Sequence, residues 1–304
     1  ELAENPMLLT TMAIIPQKEI GLPRARVRLY SLAVDVLLQR WQKRKVGESL
    51  TPSPELAHFL ADDLRLRRAV ERLAYEALRV ERGKAADLPR GDVLALLEKA
   101  DYLDSAGLAH EFLDYVDQRA GLLVGRGGEE GKPATYSFPH RTFQEYLAGG
   151  YLVGLRGVDR VYYAHAAEGD YFGLAARLGA EELWFNRQNP IGLLDLAYRL
   201  CPVQAPRSTQ DHRAWLWSGY MAAMVGREEV ARDTGNPDGG EAYLGRLLPR
   251  LKMLLRSNLT PVERADAGVV LCRLGDDRPE VMTVEGMEFC YVPAGRFWMG
   301  SGDG

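Results

Sequence analysis

Few residue groups in this chain could carry out chemistry, and each motif is incomplete. Gly83-Lys84-Ala85 and Gly131-Lys132-Pro133 lack the hydroxyl residue and the preceding glycine of a phosphate-binding loop. The segment His110-Glu111-Phe112-Leu113-Asp114 has an aspartate where a zinc-protease motif needs its second histidine. A run similar to a Walker B strand, Gly192-Leu193-Leu194-Asp195, falls in a helical pattern. We therefore predict no catalytic residues, no metal site and no ATP hydrolysis by this chain.

Charge and hydropathy limit the classes of partner. The 304 residues carry a formal net charge of −4, which provides no basic field to hold a nucleic-acid backbone or an anionic membrane. No apolar run reaches the roughly 18 residues that a membrane-spanning helix needs. With 46% hydrophobic residues the chain can bury a sizeable core, and its length predicts about two domains. We expect a folded protein that binds neither nucleic acid nor membrane.

The cysteines and the two ends of the sequence indicate its context. Cys201, Cys272 and Cys290 are far apart and odd in number, which fits neither a disulfide framework nor a CxxC metal site. A reducing cytoplasm is the expected location. The chain starts at Glu1 with no signal-peptide pattern and stops at Gly304, so we expect both ends to be cuts through a longer protein.

Apolar spacing predicts helices in the first 82 residues. Asn5 can cap a short helix, and Pro6 can occupy its first position, where a missing N–H costs little. An amphipathic helix of about five turns follows, with one apolar face: Tyr30, Val34, Leu37 and Trp41. After a break at Thr51-Pro52-Ser53-Pro54, a further helical pattern extends over residues 66–82.

The next segment predicts a winged helix. Two shorter helices start near Pro89 and Ser105, and residues 121–124 and 134–138 have the character of two strands joined by a turn-rich loop. The second strand leads through Pro139 and His140 into a helix with this apolar face: Phe143, Tyr146, Leu147 and Tyr151. Helices followed by a two-stranded wing are typical of a winged-helix module.

The remaining residues predict more helices and a short β segment. Residues 157–276 contain five or six helical patterns without a fixed repeat. Residues 287–292 alternate as a strand, and a turn at residues 293–295 leads into a second strand. The predicted fold class is mainly α: a helical domain, a winged-helix domain with a β-hairpin wing, a further helical domain and a short C-terminal β segment.

Two motifs carry a resemblance to NACHT proteins, which are STAND-type signalling NTPases. Residues 5–9, Asn-Pro-Met-Leu-Leu, together with residues 22–25 and 37–41, resemble the helical domain that follows the nucleotide-binding core in this family. Residues 136–148, Tyr-Ser-Phe-Pro-His-Arg-Thr-Phe-Gln-Glu-Tyr-Leu-Ala, resemble the end of the family's winged-helix domain. The resemblance covers residues 1 to about 153 and implies a regulatory segment whose parent protein is an ATPase.

A further resemblance lies near the C-terminus. Residues 260–265, 274–279 and 291–301 resemble the linker and first strands of formylglycine-generating-enzyme-like, or sulfatase-modifying-factor, domains. This order implies a bacterial fusion of that domain to a NACHT module. Cys290 lies in the first of these strands and is not predicted to be a catalytic thiol.

These patterns together predict four domains. Residues 1–45 are assigned to the helical domain after the core, and residues 46–153 to the winged-helix domain. Residues 154–280 are assigned to a helical linker or scaffold, and residues 281–304 to the first strands of a truncated formylglycine-generating-enzyme-like domain. The nucleotide-binding core is expected upstream, outside this sequence.

His140 is the first candidate ligand-binding residue. The family's winged-helix histidine contacts the phosphate of bound ADP and helps to hold the closed, resting state, and His140 matches it. A position in the first turn of a helix starting near Pro139 suits an anion, because free backbone N–H groups and the helix dipole attract negative charge. The alternative is a histidine that only caps or packs against the helix.

Pro6 is the second candidate, because the resemblance places it where the family's proline packs on the adenine. Its alternative role is simply a good helix start. The sequence also departs from the glycine that usually precedes this position. The resemblance thus implies an ADP-held switch, in which ATP or ADP with Mg²⁺ binds the absent core and exchange permits self-association and signalling to an unknown trigger or effector protein. This chain alone is not expected to bind nucleotide tightly.

Other classes of function have less support. Winged helices often bind DNA through the helix before the wing, but here residues 105–119 carry Glu111, Asp114 and Asp117 against Arg119. A helical interaction scaffold would use the aromatic-rich stretches at residues 162–163, 171–172, 184–185 and 215–217, yet aromatic residues at helical spacing are more often core. A fragment of a formylglycine-generating-type protein accounts only for the final residues.

Overall fold

The structure, a computed structural model, describes residues 25–42, 51–81, 87–117, 122–129, 132–204, 207–235, 238–287, 289 and 291–296. Over these residues the fold is mainly α-helical with one small antiparallel sheet, which confirms the predicted class. The helix predicted after Asn5, and with it Pro6, lies outside the described residues.

The first half contains α1 (Arg26–Gln42), α2 (Pro54–Ala61), α3 (Asp63–Glu81), β1 (Leu88–Pro89), α4 (Arg90–Leu97), α5 (Ala106–Asp117), β2 (Val124–Arg126), β3 (Thr135–Ser137) and α6 (Arg141–Leu152). Helices α1 and α3 confirm the two long helices predicted from apolar spacing. In α1 the side chains of Tyr30, Val34 and Leu37 are buried, because a period of 3.6 residues places them on one face.

Helix α2 begins where the sequence pattern predicts only a break. The Ser53 hydroxyl accepts a hydrogen bond from the Leu56 N–H at 3.2 Å, and Pro54 occupies the first helical position. Proline there lacks only an N–H that would have no helical partner, so a proline-rich break can also start a helix.

The sheet has the order β1-β3-β2, and neighbouring strands are antiparallel. Strands β2 and β3 form the predicted hairpin, with Gly125 opposite Tyr136. Strand β2 begins at Val124, the last residue of the predicted strand, so its other two residues lie where a turn was predicted. The third strand, β1, pairs Leu88 with the same tyrosine. Two residues are too few to give an alternating pattern, so the sequence does not predict β1. Helices α4 and α5 contact this sheet, which completes the winged-helix arrangement.

The second half contains α7 (Val158–Ala166), α8 (Gly173–Glu181), α9 (Pro190–Leu200), α10 (Thr209–Val225), α11 (Arg227–Arg232), α12 (Gly239–Leu254), α13 (Pro261–Leu274) and α14 (Pro279–Met282). The described part of residues 157–276 thus holds seven α-helices, against the five or six predicted. Six residues of α11 are too short to show a period. The run at residues 192–195 lies in α9, so it is helical as expected.

A π-helical segment, Glu182–Asn186, follows α8 without interruption. Such segments are rare and often mark functional sites, because the extra residue changes which side chains face the core. Here the segment contacts α1, α8 and α9. It therefore joins the winged-helix half of the chain to the second half.

The buried apolar residues form two clusters that share helices. Cluster A contains the cores of α1, α2 and the winged helix, including Leu73 of α3 and Phe143 of α6. Cluster B contains the cores of α7 to α13, and also Leu78 of α3 and Leu152 of α6. Helices α3 and α6 therefore contribute to both cores, and so does α8, whose Leu178 lies in cluster A. The predicted division after residue 153 remains a prediction.

The predicted C-terminal β segment is not formed in the described residues of 287–296. Phe289, Tyr291 and Val292 are 84%, 88% and 82% exposed, and none of them lies in a strand. The prediction of the first strand is therefore wrong for the described residues, and most of the second predicted strand, at residues 297–299, lies outside them. A strand or hairpin without neighbouring strands cannot satisfy its backbone or bury its apolar face, so alternation alone does not produce one.

No helix in the described part of the chain is both long enough and apolar enough to cross a membrane.

Candidate functional site

His140 is the N-cap residue of α6, one position before the helix begins at Arg141. Its backbone is extended, with φ −126° and ψ 112°, and its carbonyl accepts from the Phe143 and Gln144 N–H groups at 3.1 and 3.2 Å. The imidazole makes no capping hydrogen bond and is partly exposed. The helix thus starts later than predicted, and the side chain stands beside its positive end without being used as a cap.

A series of aromatic contacts leads from His140 into the core. The imidazole meets the edge of Phe143 with ring centroids 6.1 Å apart, and Phe143 meets Tyr30 of α1 at 5.8 Å. Tyr30 stacks on Tyr146 at 5.7 Å. Edge-to-face and offset-stacked contacts of this kind are the arrangements that aromatic pairs prefer. The packing alternative for His140 is therefore also present in the structure.

Tyr146 connects this aromatic series to a buried polar network at the π-helical segment. Its hydroxyl donates to Glu182 at 3.0 Å and accepts from Arg67 of α3 at 2.6 Å. Arg67 also pairs with Asp35 of α1 at 2.8 Å and with Glu71 at 3.1 Å. Four helical elements thus meet at one guanidinium and one phenol. We call these residues the Arg67–Tyr146–Glu182 network.

Burial sets the protonation of this network. Burial raises the pKa of the Tyr146 hydroxyl, so it remains a neutral donor. Burial also raises the pKa of Glu71 and of Asp35, although Arg67 opposes both shifts. For Arg67, burial disfavours the charge, but Tyr146, Glu71 and Asp35 outweigh it and raise its pKa. The network is therefore held together by a permanent positive charge among carboxylates.

The start of α1 is also tied to the second half of the chain. Arg26 pairs with Glu181 of α8 through Nη2 at 2.6 Å and Nε at 3.0 Å. Arg28 donates to the Phe185 carbonyl at 3.1 Å, and the Asn186 amide reaches the Val27 carbonyl at 3.5 Å. These bonds fix the α1 N-terminus on α8 and the π-helical segment.

The acidic residues of α5 have partners within the fold. Glu111 accepts from the backbone and hydroxyl of Ser53 at 2.6 and 2.8 Å. Asp114 pairs with Arg90 at 2.9 Å, and Asp117 accepts from the Tyr136 hydroxyl at 2.7 Å. The three carboxylates that make α5 acidic therefore also hold this helix to the start of α2, to α4 and to β3. Arg119 lies outside the described residues.

Most residues of the aromatic-rich stretches are core residues. Tyr162, Phe172, Trp215 and Trp217 are at most 3% exposed. Tyr163 is the main exception at 37%, and it donates to Asp211 at 2.9 Å. This burial disfavours an interaction scaffold built on these residues. Among the described residues, no group of His, Cys, Asp or Glu could hold a metal ion.

Comparison with known families places this geometry in context. Residues 26–152 match the family described as the winged helix-turn-helix domain C-terminal to NACHT. The match supports a NACHT-associated winged-helix segment. It begins with α1 and ends with α6, so it includes His140, the sheet and most of the Arg67–Tyr146–Glu182 network. No curated protein and no solved structure matches the chain.

Two predicted features fall outside this match. Pro6 precedes residue 26 and is not described by the structure, so its adenine contact remains a prediction. The formylglycine-generating-enzyme-like resemblance of residues 281–304 is not supported by any comparison. The NACHT-like motif at residues 136–148, in contrast, lies wholly within the matched region.

The sequence did not single out Arg67 and Glu182. Arg67 and Glu71 stand four residues apart on a predicted helix, which indicates an ordinary surface pair. Their burial depends on α6 and on the π-helical segment, which no local pattern reveals. His140 could be proposed from the sequence because its motif and its position at a helix start are both local, and its ligand role stays a prediction.

Proposed function

We propose that this chain is the regulatory, nucleotide-sensing segment of a NACHT-type signalling NTPase. The observation that carries the proposal is the family match over residues 26–152, within which His140 stands at the start of α6 with no capping bond. A histidine at that position can donate to a phosphate oxygen, and the helix dipole adds to the attraction.

In this proposal the nucleotide binds a core that lies outside these 304 residues. His140 holds the ADP phosphate and Pro6 packs on the adenine, which together favour a closed resting state. Exchange for ATP releases the winged helix and permits self-association and activation of an effector. The chain itself supplies no phosphate-binding loop, and turnover belongs to the parent protein.

The contacts inside the chain support transmission of this switch. The aromatic series joins His140 to Tyr146, and the Arg67–Tyr146–Glu182 network joins Tyr146 to the π-helical segment. A movement of the α6 N-terminus is thereby coupled to the second half of the chain through packed side chains and hydrogen bonds.

The test uses a protein that carries both this chain and its nucleotide-binding core. If His140 holds the ADP phosphate, His140→Ala removes one charge-assisted hydrogen bond, worth about 1.5–3 kcal/mol, and lowers ADP affinity by roughly one to two decades. We also expect self-association without the trigger, because the resting state loses stabilisation.

His110→Ala is the matched control, because His110 is an exposed histidine of the same winged helix. It should leave ADP affinity and oligomeric state unchanged. A purely structural His140 predicts the opposite pattern for the His140 variant: a lower melting temperature with ADP affinity unchanged. That result would show that His140 has a packing role and does not bind the phosphate.

A further inference from the structure

An open cleft of about 820 Å³ lies beside the Arg67–Tyr146–Glu182 network. Its walls come from α3, the turn at residues 101–102, the end of α6 with the following turn, and the π-helical segment. The volume falls in the range of small-molecule sites, roughly 300–1,000 Å³. None of the roles proposed above uses this cleft.

The charged groups on the cleft floor already have partners. Glu71 is paired with Arg67, and Glu182 accepts from Tyr146 and from the Asn186 amide, at 2.6 Å in the latter case. Glu71 and Glu182 are buried, and the partners just named stabilise their charges locally. A charged group of a ligand would therefore gain little binding free energy at the floor of the cleft.

The rim, in contrast, has an excess of positive charge. The side chains of Arg68 and Arg156 are exposed and form no hydrogen bond or ion pair with any other residue that the structure describes. Arg187 donates to the Gly150 carbonyl at 2.9 Å and lies 3.5 Å from Glu182, and its side chain is 35% exposed. Asp101 is the acidic residue of the rim.

The rim also contains apolar surface and open space. Leu64 lines the cleft and is 81% exposed, so it offers apolar surface to an occupant. Gly150 and Gly154 line the opposite wall, where a Cβ at Gly150 would lie 2.9 Å from Glu71 Oε1. Tyr151 and Leu155 also line this wall, and the two glycines add no side chain to it.

We propose that this cleft binds a small organic anion, with an apolar body on Leu64 and a carboxylate or phosphate group between Arg68 and Arg156. Guanidinium groups bind both kinds of anion through paired N–H donors. Binding itself does not depend on the proposed nucleotide switch. Because Arg67 and Glu182 also line the cleft, an occupant would bias the joint between the winged helix and the second half of the chain.

The test is calorimetric titration of the 304-residue chain with three matched probes: phenyl phosphate, phenylacetate and the neutral 2-phenylethanol. We expect saturable binding of at least one anion and a much weaker interaction with the alcohol. The tighter of the two anions identifies the ligand as a phosphate or a carboxylate. Equal binding of the alcohol, or no saturable binding of either anion, would overturn the proposal.

Two variants locate the binding. The Arg68→Ala, Arg156→Ala double variant should weaken binding by roughly tenfold for each guanidinium lost. The Gly154→Phe variant should also block binding, because it fills the cleft while every arginine remains. Melting temperatures of both variants establish that they are folded.

The Arg256→Ala, Arg273→Ala double variant is the charge-matched control, because both arginines are exposed and neither lines the cleft. Its affinity for the probes should equal that of the wild type. Equal losses in the cleft and control variants would show attraction to net charge alone and would refute the site. Since these titrations contain no nucleotide, their failure is distinct from a failure of the His140 experiment.

Discussion

At the residue scale, Tyr146 joins the aromatic series that starts at His140 to the Arg67–Tyr146–Glu182 network. Its ring stacks on Tyr30, and its hydroxyl bonds both Arg67 and Glu182 inside the protein. Removing that hydroxyl leaves a buried guanidinium and a buried carboxylate each short of one partner. The cost of leaving these two groups without a partner adds to the free energy lost with the two hydrogen bonds themselves.

We therefore expect Tyr146→Phe to reduce the free energy of unfolding by about 1–3 kcal/mol, because the variant leaves buried polar partners unsatisfied. Chemical denaturation measures this difference. Tyr163→Phe is the control, since the Tyr163 hydroxyl bonds Asp211 at a partly exposed site and its loss should cost less. Equal costs for the two variants would contradict a special role for Tyr146.

His165 connects the two halves of the chain at a second point. Its Nε2 lies 3.0 Å from the Tyr75 hydroxyl of α3, and its ring stacks on Phe172 at 3.7 Å. Burial lowers the pKa of His165 below its ordinary value of 6.5, although Glu168 opposes the shift. The folded protein thus holds the imidazole neutral at neutral pH.

This lowered pKa predicts a loss of stability in mild acid. Between the lowered pKa and 6.5 the unfolded chain binds more protons than the folded one, so the free energy of unfolding falls as the pH drops through this window. His165→Gln should show a smaller change between about pH 7.5 and about pH 5.5. Parallel pH profiles of the variant and the wild type would refute this. The carboxylates are common to both proteins, so their contributions to the pH dependence cancel when the variant is compared with the wild type.

The sequence singles out individual candidate residues only where the pattern that marks them lies in neighbouring residues. His140 lies in a recognisable motif at a helix start, and the structure puts it there within one or two positions. Arg67, Tyr146 and His165 acquire their roles from elements far away in sequence. Tyr146 was predicted on an apolar face, which is correct, but its polar partners depend on the π-helical segment.

At the element scale, α6 and α8 approach each other unusually closely. A Cβ on Gly149 of α6 would collide with the Ala175 carbonyl and lie 2.7 Å from the Gly179 nitrogen. Both neighbours are backbone atoms of α8, which cannot move as a side chain end can. Glycine at this position therefore lets the two helices pack backbone against backbone.

We expect Gly149→Ala to destabilise the protein by about 1–3 kcal/mol, because the added methyl group forces the helices apart. Gly91→Ala in α4 is the matched control. A Cβ at Gly91 meets nothing within 4 Å, so this change should be neutral or stabilising by about 0.4–1 kcal/mol through the unfolded chain. Thermal unfolding should show a lower melting temperature for the Gly149 variant and an unchanged or higher one for the Gly91 variant, and a stabilised Gly149 variant would be inconsistent with the close approach.

Helix α5 leads to a prediction on nucleic acid. Glu111, Asp114 and Asp117 place negative charge on the helix that would enter a groove, and they also hold α2, α4 and β3. We expect no specific duplex binding at near-physiological salt, because these carboxylates repel phosphates. A gel shift that persists at that salt and disappears on replacing Glu111 would overturn this expectation.

Apolar periodicity predicted α1 and α3 correctly because each helix is long and has one buried face. The short elements were missed for physical reasons. Helix α2 is eight residues long and begins at a proline, and β1 has two residues. The C-terminal alternation was overinterpreted, because a strand needs a neighbour that periodicity does not report.

At the scale of the whole molecule, two clusters of buried residues meet on shared helices. α3 contributes Leu73 to cluster A and Leu78 to cluster B, while α6 contributes Phe143 and Leu152 in the same way. The sequence predicted a mainly helical chain with a winged helix in its first half, and both are confirmed. It could not predict that the cores share helices, because which face of a long helix meets which neighbour is a tertiary property.

The shared helices have a practical consequence for protein engineering. A polypeptide ending at Leu152, where the family match stops, would keep the winged helix but leave the cluster B face of α3 and α6 in water, including Tyr75, Leu78 and Ala148. Exposed apolar faces of this kind promote aggregation. The segment ending at Leu152 is therefore poorly suited to transfer by itself into another protein. Such a transfer would require polar substitutions on the exposed face, or a helix that replaces α8 against it.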